Sequence, residues 1–68
     1  MQSKFEESLK CREQALEIRK ELFGENHNSV AACYNNIANI YYSMGKMTFA
    51  EDCARRSVEI YRASEDYI

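Results

Sequence analysis

The chain contains no proline and only two glycines, Gly24 and Gly45. These residues are the strongest breakers of regular local structure, so a chain this short of them has few places to turn. The glycines divide it into three stretches, each long enough for several helical turns. Sustained alternation of apolar and polar residues, the mark of a half-buried strand, appears in none of them. The expectation is an all-α chain of three helices. Its 68 residues are less than half of the roughly 150 that serve as a prior for one domain. A chain of this size buries only about 60% of the surface it exposes when unfolded. Two independent domains, a deep catalytic cleft and a bundle of membrane spans are all disfavoured.

Periodicity sets the helix positions. In the first stretch Phe5, Leu9, Leu16 and Phe23 recur at helical spacing beside Cys11, Ala15, Ile18 and Leu22, which predicts a broad apolar face. Ser3, with Glu6 three residues on, reads as a capping box, and Gly24 as the terminator, giving a helix over 3–23. Residues 25–28 form the connection, with Asn28 or Ser29 as the next N-cap. The second helix runs to about Met44 before Gly45. Its apolar stripes are Val30, Tyr34, Ile37, Tyr41 and Cys33, Ile37, Ile40, Met44. The opposite face carries Ala32, Asn35, Asn36, Asn39, Tyr42 and Ser43. The third helix covers about 47–64, with Met47, Ala50, Ala54, Val58 and Tyr61 on one stripe and Phe49, Cys53, Ser57 and Ile60 on another.

Charge falls in two blocks, Lys4 to Glu25 and Lys46 to Asp66, with none from Asn26 to Gly45. That uncharged stretch holds five asparagines, whose amides would need partners in hydrocarbon, so no membrane span is expected. A helix covered on several sides by protein, with its amides gathered on one face, fits better. Nine basic against eleven acidic side chains give a net charge of −2. A phosphate-gripping surface needs the opposite balance, so no nucleic-acid partner is expected.

The three cysteines, Cys11, Cys33 and Cys53, are odd in number and widely spaced. Neither a disulfide framework nor a zinc site has that pattern. They are expected to be small buried fillers of the core. Residues 1–7 lack an apolar signal core, so a reducing, cytoplasmic location is inferred. His27 stands in the connection without a nucleophile beside it, and is expected to pack in the loop or face solvent. Glu6-Glu7, Glu51-Asp52 and Arg55-Arg56 read as solvated helix faces, with Glu13 and Glu17 set against Arg12 and Lys20. No phosphate loop and no Ser-His-Asp order can be assembled. No enzyme activity, catalytic residue, metal or cofactor is expected.

Displaced by 42 residues, the sequence echoes itself: Lys4 meets Lys46, Cys11 meets Cys53, Glu17 meets Glu59 and Ile18 meets Ile60. Softer matches are Phe5/Met47, Ser8/Ala50, Ala15/Ser57, Leu16/Val58 and Lys20/Arg62. A period of this size points to a helical repeat array. The run from Tyr34-Asn35-Asn36-Ile37-Ala38 to Met44-Gly45-Lys46 resembles the first helix and turn of a tetratricopeptide repeat. Ala50, Ser57 and Val58 fall where that repeat's second helix has small, small and large residues. Gln14 to Arg19, Leu22-Phe23-Gly24, and His27 with Val30-Ala31 are similar to the 42-residue variety typical of kinesin light chains. The sequence departs from that pattern at Asn28, which replaces a proline. Ser8 occupies the small position that Ala50 fills, and Arg12 and Ala54 replace the usual large residue.

The resemblance covers residues 4–61 and implies an α-solenoid fragment of about one and a half repeats within 1–68. On that division, 3–23 is the second helix of a repeat lacking its first, and 29–64 is one complete helix-turn-helix repeat. Since about three repeats are normally needed for a stable stack, the isolated chain is expected to be a homo-oligomer. The family geometry places Ala32, Asn35, Asn36, Asn39, Tyr42 and Ser43 on a concave groove that binds a partner protein or peptide. Repeats that clamp a C-terminal carboxylate use groove lysines and arginines, which the second helix lacks. The alternative function is a structural unit that self-assembles without a peptide ligand. A third reading links chains through a metal held by Cys11 or Cys53 with His27.

Overall fold

A computed structural model describes residues 4–66 as three helices: α1 (Lys4–Phe23), α2 (Asn28–Ser43) and α3 (Met47–Asp66). The class is all-α, with no strand among the described residues. The proposed capping serine, Ser3, lies outside them. Glu6 and Glu7 occupy the first turn of α1 and Lys20 its last, each sign matching the dipole end it sits on. Gly24 ends α1 at φ 87°, where its N–H donates to the Lys20 carbonyl at 2.9 Å. A residue with a Cβ would be strained there.

The start of α2 differs from expectation. Its N-cap is His27, in extended geometry, and neither Asn28 nor Ser29. The Ser29 N–H donates to His27 Nδ1 at 3.0 Å, and the His27 carbonyl accepts from Val30 and Ala31 at 3.0 and 3.1 Å. An imidazole nitrogen reaches the second helical amide much as an asparagine oxygen does, so histidine performs the capping chemistry. The ring is held by stacking on Phe23, centroids 4.5 Å apart. The end of α2 follows the glycine signal. Gly45 adopts φ 80°, its N–H donates to Tyr42 at 3.0 Å, and the Lys46 N–H reaches back to Tyr41 at 2.9 Å. That pair of bonds is the Schellman motif. The helix α3 runs to Asp66, two residues beyond the expected end.

The middle helix organises the fold. Both α1 and α3 pack on α2, and neither packs on the other. The core is Leu16, Val30, Ala31, Cys33, Ile37 and Ile60, joined by the half-buried Leu9, Ala15, Tyr34, Tyr41 and Cys53. Most of the buried apolar side chains come from α2 itself, the helix without charge. The result is a thin slab of 46 × 23 × 11 Å. Its Cα radius of gyration, 12.4 Å, exceeds the roughly 11 Å of a compact chain of this length.

The broad apolar face expected of α1 is only partly buried. Leu16 is in the core, whereas Cys11, Phe5, Ile18, Leu22 and Phe23 are exposed, Leu22 at 69%. A helix with one neighbour buries one side, and these residues lie off the side that meets α2. Cys11 is accordingly no core filler; Cys33 is buried and Cys53 half-buried, as expected of fillers. On α3, Met47, Val58 and Tyr61 are likewise open. Arg19 ties α1 to α2, donating to the Ser29 carbonyl at 3.3 Å and meeting Cys33 Sγ at 3.2 Å. Of the surface pairs read from sequence, Lys20 and Glu17 stand 3.9 Å apart. Lys20 also lies 5.6 Å over the Tyr34 ring.

Candidate functional site

The helix α2 turns its apolar stripes to α1 and α3 and leaves one uncharged face outside the core. On that face Asn35, Asn39, Tyr42 and Ser43 are exposed, while Ala32 and Asn36 are half-buried. At 1.5 Å per residue the strip from Ala32 to Ser43 is about 16 Å long. Asn35 and Asn39 are one turn apart, their Cβ atoms about 5–6 Å from each other, with Tyr42 continuing the same line. Among the described residues, the side-chain amides of Asn35, Asn36 and Asn39 have no hydrogen-bond partner. Each amide therefore keeps a carbonyl acceptor and an NH2 donor for a visiting molecule. Tyr42 is 51% exposed and presents an aromatic body with a hydroxyl tip.

The small residues behind this face fix how close the helices come. Ala31 and Ala38 on α2, and Ala50 and Ser57 on α3, are all buried to at least 96%. The Ser57 hydroxyl donates to the Ala31 carbonyl at 3.0 Å, so the two backbones approach closely at that point. Tyr41 stacks on Phe49 at 5.3 Å across the same interface. Burial pushes the Tyr41 phenol up, assisted by the Glu13 carboxylate and Cys53. It also pushes up the Cys53 thiol, with Asp52 and Glu13 adding to the effect.

Elsewhere the described residues hold no group of three His, Cys, Asp or Glu suited to a metal. None of the described helices is long and apolar enough to cross a membrane. One surface feature escaped the sequence reading. A shallow open depression on α1 is lined by Glu7, Ser8, Cys11, Arg12 and Ala15. Its signal was present in the 42-residue echo, which pairs three of these with Ala50, Cys53 and Ser57.

A fold of three antiparallel helices with small residues at its close contacts and a 42-residue echo is that of a helical repeat. The sequence model of the tetratricopeptide repeat matches residues 1–63, and the chain belongs to that family. It is similar to the protein kinesin light chain-related 2 of Arabidopsis thaliana, with 30% identity over 59 residues. The match covers 87% of this chain and 9% of that protein, so the chain spans less than a tenth of its relative's length. No solved structure matches with significance. Tetratricopeptide repeats are in general protein–protein interaction modules and typically non-catalytic scaffolds.

Proposed function

We propose that the chain is a segment of a protein-interaction scaffold that takes an extended peptide of a partner protein along the open face of α2. The observation that carries this reading is the row of unpartnered amides, Asn35, Asn36 and Asn39, beside exposed Tyr42 on a face without charge. An extended peptide offers alternating N–H and C=O groups, which such amides can meet without regard to side-chain charge. Tyr42 supplies the apolar anchor, and Ala32 leaves room at the other end of the strip. In repeat terms α1 corresponds to the second helix of a unit, and residues 29–64 to one complete unit. Three unpaired thiols support, for this reading, a reducing compartment such as the cytoplasm.

Selection of a random dodecapeptide display library on the purified chain tests the reading. Selected peptides should lose at least tenfold in affinity with Asn39→Ala or Tyr42→Ala, while the helical circular dichroism of the chain is unchanged. Peptides indifferent to both substitutions, or a library that yields no binder, overturn it. A second reading is favoured by a different observation. Ile18, Leu22, Val58 and Tyr61 leave apolar surface open on both outer helices, as a self-assembling unit would.

A further inference from the structure

His27 is the only histidine in the sequence, and it touches both helices of the first junction. Its ring stacks on Phe23, the last residue of α1, with centroids 4.5 Å apart and planes 18° from parallel. Its Nδ1 accepts the Ser29 N–H, in the first turn of α2, at 3.0 Å. Accepting at Nδ1 needs a free lone pair there, so the ring that caps α2 is the neutral tautomer with its proton on Nε2. The residue is exposed, and a proton from solvent reaches the ring without any opening of the fold.

We propose that His27 is a proton-operated latch between α1 and α2, closed on α2 when the imidazole is neutral and released from it when charged. Protonation places a hydrogen on Nδ1, so donor faces donor across what was a 3.0 Å hydrogen bond. The new charge also sits at the positive end of the α2 dipole. The first turn of α2 holds no acidic residue to offset it. Stacking on Phe23 survives, because a cation is attracted to the face of an aromatic ring. The imidazolium therefore keeps its hold on α1 and lets go of α2. The Ser29 N–H passes to water, and the turn whose Ser29 carbonyl receives Arg19 of α1 loses its fixed end. The latch concerns the junction alone and does not depend on the peptide-binding face of α2.

The charged groups around the junction do not reverse this preference. From α1 come two cations, Arg19 against the Cys33 thiol and Lys20 over the Tyr34 ring, with Glu17 3.9 Å from Lys20. Glu21 is two residues from Phe23 and so on the opposite side of the helix. Glu25, in the linker, has Arg56 of α3 3.9 Å from its carboxylate, and Arg56 also meets Glu59 at 3.5 Å. The helix α2 itself carries no charged side chain. The neutral ring is the form that fits, so the capping contribution is present above the range where a free imidazole takes a proton. It is lost as pH falls through and below that range.

The test compares the full chain with two variants at one chain concentration, at about pH 7.5 and about pH 5.5, a window that belongs to histidine among unperturbed side chains. The folding constant from denaturant unfolding should fall about threefold across that window, part of what a lost cap costs. His27→Asn, whose amide oxygen caps without titrating, should remove the fall. Glu25→Gln should keep it, since the carboxylate is not the group that responds. In the nuclear magnetic resonance spectrum of the parent chain, the Ser29 amide signal should titrate together with the His27 ring signals. A fall of equal size in His27→Asn, no fall in the parent chain, or a fall that vanishes in Glu25→Gln overturns the proposal. So does a Ser29 amide signal that stays still while the ring titrates.

Discussion

At the residue scale His27 shows what a sequence pattern conceals. Asparagine and serine are the commoner caps, yet Asn28 and Ser29 lie one and two residues past the residue that caps the helix. The deciding fact is three-dimensional: Phe23 stacks on the imidazole and aims Nδ1 at the Ser29 amide. His27→Ala should cost about 1 kcal/mol in denaturant unfolding, and His27→Asn should recover most of it. Equal losses for both would show that the stacking, not the cap, is what matters. The cysteines give a second prediction. Thiolate is the reactive form, so exposure and ionisation set the order of alkylation. Exposed Cys11 should react first, Cys53 more slowly because burial pushes its thiol up, and Cys33 only on unfolding, as mass spectrometry of the labelled chain would report. The sign for stability follows. A thiol held neutral by the fold contributes in full below the range where the unfolded thiol ionises, and that contribution is lost as pH rises through the folded range. A Cys53→Ala variant should therefore show a flatter stability profile in mild alkali.

At the element scale α2 was the most legible part of the chain. Its apolar stripes, asparagine face and glycine terminator all point to one helix covered on two sides, and the structure has that helix. The fate of α1 was less legible. Two apolar stripes on one helix mean two neighbours, but the sequence does not state whether both neighbours are present. Ile18 and Leu22 are consequently open. The open face of α2 was legible as a set of residues, since a helix sorts side chains by angle; what would lie on it was not. Ala38 lies at 2% exposure, with no room for a larger side chain. Ala38→Leu should lower stability by about 1–3 kcal/mol through overpacking, whereas Asn39→Ala should stay within about 0.5 kcal/mol. The opposite order of denaturant midpoints would mean that the helix faces the other way.

At the scale of the whole molecule the slab is too thin to hide its outer helices. Each large apolar side chain left in water forfeits about 1.5–3 kcal/mol of burial, a serious loss against a total of about 5–15 kcal/mol. The 68-residue chain should therefore associate with itself, seen as a molar mass that rises with concentration in light scattering. A folded monomer at high concentration would show that α2 and its two neighbours shield the core unaided.

Because α1 and α3 both pack on α2 and not on each other, α2 is the main route by which one end of the molecule senses the other. A guest laid on its open face grips the element on which both outer helices depend, and binding and melting become one event. At a hundred times its Kd such a guest adds about 2.7 kcal/mol to the folded state. For a chain this small that amounts to a rise of more than about 10 °C in melting temperature. On the proposed peptide-binding reading, occupancy of this face would register as heat resistance, and a thermal-shift screen of candidate partners needs no label.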